Sequence, residues 1–389
     1  MGLLWLVLMA GGPVPIVENG FEPTGSPLVL TFEEDLRIDA ESDEEYGIWP
    51  GALASFAVDQ KGRMLVADDR ANHIVVFDPR GAFQRLIGNR GQGPGEFTSL
   101  SGIQVLADGR ILAIEAMNRF ALTFFDSDGN FLERIEPSTP GGPNSFQTNP
   151  AGTMSAVNYV TTDPARGIMT KHFAIWDKDL TPRLAISEVD VMIFNANRAT
   201  EGLFWSEFIG DQLKNDARGL GGFAAFDRDG KIWTAIGHTY EVTLWDETAT
   251  RKLRIIKRNY KPIIQEEEEI YAFVDPIKSH LEAQLPASLS SLITPGVLQK
   301  AIELAEFPPG KPPIYGLVSM GDGRLLVIRE VNRLTRLTTG DVFDKQGRFQ
   351  GAITMPNGAM PDLQFRNGYA YTFERDEDEE RALVRYRVR

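Results

Sequence analysis

Four histidines occur in the 389-residue chain: His73, His172, His238 and His280. Imidazole is a common zinc ligand, and three of them converging with a fourth position open would activate a bound water or polarise a carbonyl. His73 and His172 each stand four residues before an aromatic-Asp pair, Phe77-Asp78 and Trp176-Asp177, which gives them equivalent places in two repeated units. His238 lies seven residues before Trp245-Asp246 and is out of that register. If His73, His172 and His238 meet, the chemistry is metal-assisted, with carboxylates close by as the alternative acting groups. His280 sits apart, in a segment that reads as helix. A plainer account exists for the same residues. Asn in a tight turn takes the left-handed conformation, and a neighbouring His or Arg then pairs with a local acid such as Asp68. The pattern Asn-His/Arg recurs at Asn72-His73, Asn118-Arg119 and Asn332-Arg333, and a structural role recurs in every unit more readily than a catalytic one.

Other chemistry finds little footing. There is no cysteine, which excludes thiolate nucleophiles, thiolate metal sites and disulfides. No G-x-S-x-G, Walker or H-E-x-x-H pattern is present. Gly91, Gly93 and Gly95 form a glycine-rich run, but it precedes a strand-like segment rather than a helix, which argues against a dinucleotide site. Asp126-Ser127-Asp128-Gly129-Asn130 and Asp227-Arg228-Asp229-Gly230 are similar to calcium loops, yet both lack the twelfth-position Glu and are explained as hairpin turns. The expected cofactor is none, with zinc or calcium as the exceptions to test. Forty basic against 54 acidic residues leave a net charge of −14, which argues against a nucleic-acid partner.

The elements that would position these residues announce themselves by repetition. Gly62-Arg63-Met64-Leu65-Val66-Ala67-Asp68 returns as Gly109-Arg110-Ile111-Leu112-Ala113-Ile114-Glu115, 47 residues later. A β-rich unit at this period is the spacing of a propeller blade. Polar-Gly turns open such units at Lys61-Gly62, Asp108-Gly109, Asp229-Gly230 and Asp322-Gly323, with weaker copies at Ala151-Gly152 and Asn367-Gly368. Aromatic-Asp pairs close a third strand at Phe77-Asp78, Phe125-Asp126, Trp176-Asp177, Trp245-Asp246 and Phe343-Asp344. Six first hairpins but five second hairpins imply a six-bladed, all-β propeller of four-stranded blades whose last blade lacks its outer strand. Residues 28–38 supply that strand and close the ring, leaving no open edge. Trp176 and Trp245 take the place of Phe in other units and belong to the core between blades.

Two intervals between units are long, 78 residues from Gly152 to Gly230 and 93 from Gly230 to Gly323. The larger insertion, 262–309 between blades 4 and 5, predicts a helix from Pro295, with Thr294 as N-cap and Val297, Leu298, Ala301, Ile302, Leu304 and Ala305 at helical spacing. The run Glu266 to Glu269 reads as the solvated start of a second helix, where acidic side chains suit the macrodipole.

The glycine-rich run and the Asn turns carry a family resemblance. Gly88-Asn89-Arg90-Gly91-Gln92-Gly93-Pro94-Gly95-Glu96-Phe97 resembles the inter-blade loop of NHL-repeat propellers, as do Asn72-His73-Ile74, Asn118-Arg119-Phe120 and Asn332-Arg333-Leu334. The match is strongest over 56–135, moderate over 314–389 and faint between. The chain is thus similar to bacterial six-bladed propellers of the NHL/TolB-like type, many of them exported. That resemblance implies a binding scaffold more than a reaction, although the type also hosts lyases and lactonases.

Four-strand alternation places both hairpins of every blade on one face. The turns between second and third strands, the glycine-rich loop, residues 137–145 and both insertions fall on the other, the usual place for function on a rigid scaffold. That face would carry Arg70 and His73, Arg119, His172, His238 and Tyr240, Arg329 and Arg333, and Arg375 as candidate ligand-binding residues. The expected ligand is a protein, peptide or glycan held without catalysis; a broad apolar rim on the 262–309 helices would favour this over the metal chemistry. Finally, Met1 to Ala10 is apolar, too short to span a bilayer and suited to the core of a secretion signal, although it lacks a basic start. Residues 1–20 are therefore expected to be a leader-like or disordered segment, the rest of the chain to have no transmembrane span, and the location to be periplasmic or secreted.

Overall fold

The computed structural model describes residues 12–39, 55–115, 120–136, 142–332, 334–356, 363–375 and 381–389. Two strands, β1 (Ile16–Asn19) and β2 (Phe32–Ile38), precede the repeats. Blade 1 comprises β3 (Ser55–Val58), β4 (Met64–Asp68), β5 (His73–Phe77) and β6 (Phe83–Ile87). Blade 2 comprises β7 (Leu100–Val105), β8 (Ile111–Glu115), β9 (Ala121–Phe125) and β10 (Phe131–Ile135). Blade 3 comprises β11 (Gly142–Thr148), β12 (Met154–Asp163), β13 (Ile168–Asp177) and β14 (Pro182–Met192), and is followed by helix α1 (Phe204–Ala217). Blade 4 comprises β15 (Gly222–Phe226), β16 (Ile232–Ile236), β17 (Glu241–Trp245) and β18 (Lys252–Arg258). Helices α2 (Glu267–Gln284), α3 (Ala287–Ser290) and α4 (Pro295–Ala305) come next. Blade 5 comprises β19 (Gly316–Ser319), β20 (Leu325–Asn332), β21 (Leu337–Phe343) and β22 (Phe349–Pro356). Blade 6 comprises β23 (Gln364–Arg366), β24 (Tyr369–Arg375) and β25 (Arg381–Val388), completed by β2.

The six antiparallel sheets stand in a ring, their first strands innermost. Middle strands lie between two neighbouring blades and are buried on both faces, which is why they read as unbroken apolar runs such as Met64-Leu65-Val66-Ala67 and Leu325-Leu326-Val327-Ile328. An apolar cluster fills each gap between blades. Phe56, Val66 and Phe77 meet Tyr371, Phe373 and Leu383 between blades 1 and 6, for example, and Val242 and Ile256 meet Leu325 and Phe343 between blades 4 and 5.

The aromatic-Asp signature has a physical cause. The Asp78 carboxylate accepts hydrogen bonds from the amides of Arg80 (2.7 Å) and Ala82 (2.9 Å), and Asp126, Asp177 and Asp344 cap their turns likewise. The residue three beyond takes positive φ: Gly81, Gly129 and Gly347, but also Leu180 and Ala249. A local polar side chain thereby satisfies the turn backbone and sets the hairpin.

Ring closure follows the expected plan. β2 pairs antiparallel with β25, Phe32 opposite Val388 and Ile38 opposite Leu383. The assignment of 1–20 to a leader-like or disordered segment needs correction at its end. Ile16–Asn19 pairs in parallel with Ile255–Arg258 of β18, giving blade 4 a fifth strand, while residues 1–11 lie outside the described residues. The chain then crosses blade 5, where Leu28, Leu30 and Phe32 pack on its core, before entering blade 6. One segment thus ties three blades together. Asn19 is its main fastening: buried, it donates to the carbonyls of Lys257 (3.2 Å) and Gly347 (3.0 Å) and accepts from Phe349 N (2.8 Å).

The 262–309 insertion is helical as expected, with Thr294 accepting from Val297 N at the start of α4. Helix α1 of the other insertion was not foreseen. It packs on α4 so closely that a Cβ at Gly210 would come within 3.0 Å of the Ala301 carbonyl. Phe204, Trp205, Ile209 and Leu213 join Val274, Leu298, Ala301 and Ala305 in a core separate from those of the blades. No helix among the described residues is long and apolar enough to cross a membrane.

Candidate functional site

On the loop face of blade 1, Asn72 adopts positive φ and its side chain accepts from Leu100 N (3.0 Å), linking blades 1 and 2. His73 Nε2 lies 3.7 Å from Asp68 Oδ2, within its own turn. Arg70 is exposed, and its carbonyl accepts from Arg90 of the glycine-rich loop (2.6 Å). That loop is held from below by Glu115, which accepts from Thr98 N (2.7 Å), Thr98 Oγ1 (2.9 Å) and Ser99 N (3.1 Å) and pairs with Arg134 (2.7 Å). The glycines serve packing: a Cβ at Gly91 would collide with the Glu96 carboxylate, which receives Gly93 N at 2.8 Å.

His172 lies in the body of β13, four residues beyond its start, because β12 and β13 run on as a ten-residue hairpin. One rung across three strands aligns Tyr159, His172 and Glu188. The imidazole stacks on Tyr159 with centroids 4.6 Å apart, its Nε2 meets Thr161 Oγ1 at 2.8 Å, and Nδ1 lies 3.4 Å from Glu188. Burial, with the Glu188 charge, raises the Tyr159 phenol above its ordinary range. His238 is exposed in the β16–β17 turn.

These placements do not gather the three histidines into a metal centre. His73 turns to Asp68, His172 is stacked within the blade 3 sheet, and His238 faces solvent. Among the described residues no group of three His, Asp or Glu side chains comes together that could hold a metal ion. The fault in the expectation lies in the strand lengths: the extended hairpin moves His172 off the turn that holds His73. Of the remaining candidates, Arg119 and Arg333 lie outside the described residues, and Arg375 is the last residue of β24.

Two candidates do meet. Tyr240 and Arg329 converge on Asp341, a carboxylate only 2% exposed, at the interface of blades 4 and 5. Asp341 Oδ2 accepts from Tyr240 Oη (2.6 Å), Arg258 Nη1 (2.7 Å) and Arg329 Nη1 (3.3 Å). Arg258 stacks over Phe349 at 3.8 Å and donates to the Phe21 carbonyl (3.2 Å), while Arg329 lies over Tyr260 at 4.8 Å. Burial, then the Asp341 charge, pushes the Tyr240 phenol far above its ordinary range and keeps it a donor. Neither Asp341 nor Arg258 stands out in sequence, since each sits inside a strand without a motif.

A second polar node joins the helical cap to the blades. The Lys311 ammonium, 8% exposed as a residue, bonds Glu269 of α2 (2.5 Å) and Glu330 of β20, and Asn332 donates to the same Glu269 oxygen (2.9 Å). The Glu run is therefore divided: Glu267 and Glu268 are solvated as expected, whereas Glu269 turns inward. Asp211 of α1 receives Met192 N of blade 3 (2.5 Å), and Gly237 N of blade 4 donates to Gly221 O while Ile314 N donates to Gly237 O. The cap is thus clamped to blade 3 through Asp211 and to blade 5 through Glu269. Its surface leaves Leu203 61%, Leu304 40%, Phe194 39%, Leu292 38% and Tyr271 37% exposed.

The fold and this face define the class: a six-bladed β-propeller bearing a helical cap on its loop face. The sequence profile of a family described as 6-bladed beta-propeller (DUF5128) matches residues 57–139. No curated protein matches the chain. Among solved structures, a member of the duf4221 family from Bacteroides vulgatus is similar with a TM-score of 0.50 at 9% identity, over 92% of this chain and 98% of the other. A protein from Bacteroides fragilis described as exported gives 0.49 at 13% identity, over 96% and 99%. A gluconolactonase from Xanthomonas campestris gives 0.42 at 11% identity, over 87% of each chain. At such identities the likeness is one of fold.

Proposed function

We propose that this chain is an exported binding scaffold of the NHL-like type, recognising a protein, peptide or glycan through its loop face without catalysing a reaction. The observation that carries the reading is the cap. It has its own apolar core, is clamped to blades 3 and 5, and still exposes Leu203, Leu304, Phe194, Leu292 and Tyr271. Large apolar side chains held out on a rigid support suit recognition, because little ordering entropy is lost on binding. The polar groups nearby are engaged with one another: Tyr240 and Arg329 with Asp341, and Lys311 with Glu269 and Glu330. Export rests on the apolar stretch Met1 to Ala10.

The alternative is a metal-assisted lyase or lactonase; since His73, His172 and His238 each have local surroundings of their own, it would rest on carboxylates at the channel mouth. The two readings part in one experiment. Protein purified without a metal-affinity tag is probed on peptide and glycan arrays, alongside Leu203→Asp and Leu304→Asp variants, and its metal content is measured with that of His172→Ala. Binding that both cap variants abolish supports the scaffold. About one equivalent of zinc, lost in His172→Ala, overturns it.

A further inference from the structure

The opposite face, where both hairpins of each blade turn, carries an arrangement that the loop-face reading does not use. Arg366 ends β23, the innermost strand of blade 6, on the same side of the strand as Gln364. Gln364 donates to the Phe56 carbonyl of blade 1 (2.8 Å), so this side looks toward the neighbouring inner strand. Arg366 Nη1 is buried and has no hydrogen-bond partner. Arg228, exposed at the β15–β16 turn of blade 4, extends across the blade 5 turn toward it. A Cβ on Gly321 would lie 3.6 Å from Arg228 Nη2 and 3.3 Å from the Phe365 carbonyl, the residue before Arg366.

The acids around this pair are already spoken for. Asp59 accepts from Lys61 N (2.8 Å), Arg63 N (2.8 Å) and Arg63 Nε (2.6 Å). Asp227 caps its own turn through the amides of Asp229 and Lys231, and Asp229 pairs with the Lys231 ammonium (3.1 Å). The Arg228 guanidinium is thus left close enough to Arg366 for its charge to act there, in a chain of net charge −14, at the inner end of the hairpin face. A buried donor without a partner costs stability, and two like charges add to that cost. Burial lowers the Arg366 pKa from its ordinary value; the Asp59 carboxylate, although engaged with Arg63, raises it, and Arg228 lowers it further.

We propose that Arg228 and Arg366 form a binding site for a small oxyanion, a carboxylate or a phosphate group, at the inner end of the hairpin face. A planar guanidinium offers paired N–H donors matched to such oxygens, and the unsatisfied Nη1 of Arg366 is the donor that the anion completes.

The test is isothermal titration of the full chain with sodium phosphate and with sodium acetate at constant ionic strength, alongside Arg366→Gln and Arg228→Gln. Saturable binding of either anion, weakened at least tenfold in both variants, is the expected result; which anion binds assigns the ligand chemistry. Arg228→Gln changes an exposed turn residue and keeps the test meaningful even if Arg366→Gln folds poorly. In anion-free buffer the Arg366→Gln variant is expected to melt no lower than the parent, since it loses a guanidinium whose buried Nη1 is unsatisfied. Absence of saturable binding, or binding equal in parent and both variants, overturns the proposal. The cap variants above leave this site untouched, so its failure and that of the scaffold reading are separable.

Discussion

Replacing Asp341 by Asn removes one negative charge from a site where it faces two buried guanidiniums, Arg258 and Arg329, and a buried phenol. The Asn side chain keeps the shape, so no cavity opens, and the loss is electrostatic. Removing one partner of a buried ion pair costs about 3–5 kcal/mol, because the other charge stays desolvated. Here two cations are stranded, which places the change toward the upper end. At roughly 2.1 cal/mol/K per residue, the 389-residue chain has a melting entropy of ~0.8 kcal/mol/K, so a loss of ~4 kcal/mol lowers Tm by about 5 °C. The converse change behaves differently. Arg329→Met leaves one Arg facing one Asp, a balanced pair, and is expected to cost less than half as much. The double variant should be more stable than Asp341→Asn alone, a non-additivity that marks a shared network. Calorimetry of the three variants reads all of this. A drop below about 1 °C for Asp341→Asn, or equal losses for Asp341→Asn and Arg329→Met, would refute the argument that this node is dry and carries an excess cation.

Three further outcomes follow from other parts of the molecule. Asn19→Ala breaks three bonds that fasten the N-terminal strand between blades 4 and 5, and is expected to lower stability by about 1–3 kcal/mol in urea denaturation. Lys311→Met leaves Glu269 and Glu330 facing one another, so hydrogen exchange should quicken in α2 while the blade strands keep their protection. The Asn130 amide, with the turn's backbone N–H groups, holds the Asp126 carboxyl below its ordinary range. A carboxylate depressed on folding stabilises above its unfolded pKa of roughly 3.9 and loses that contribution as pH falls through the folded value. The stability deficit of Asp126→Ala measured at pH 7 is therefore expected to shrink below about pH 4, where protonation removes the same interaction from the parent.

What could be read from sequence was whatever local chemistry determines. The turn between third and fourth strands is built from one Asp and one residue of positive φ, both within five positions, so Phe77-Asp78-Pro79-Arg80-Gly81 declares itself without reference to the rest of the chain. Middle strands buried on both sides likewise appear as continuous apolar runs. Closure by 28–38 followed from counting hairpins. The features that escaped depend on partners far away in sequence. β1 is four residues long and is held by Lys257 and Gly347, more than 200 positions distant. Helix α1 has a Gly at the heart of its contact with α4, where a propensity argument would expect a break. Asp341, Arg258 and Arg366 carry no motif and gain their meaning only from the blades that surround them. The histidines mark the boundary between these cases: His73 opens β5 beside Asp68 of the same hairpin, whereas the position of His172 depends on how far β12 and β13 extend.

The central claim is that the helical cap makes the loop face a recognition surface. The most direct measurement is array binding by the parent protein and by Leu203→Asp and Leu304→Asp, with the fold of each variant checked by its melting temperature. The expected result is a defined set of peptide or glycan ligands that both variants lose while melting within a few degrees of the parent. Ligands retained undiminished by both folded variants would contradict it.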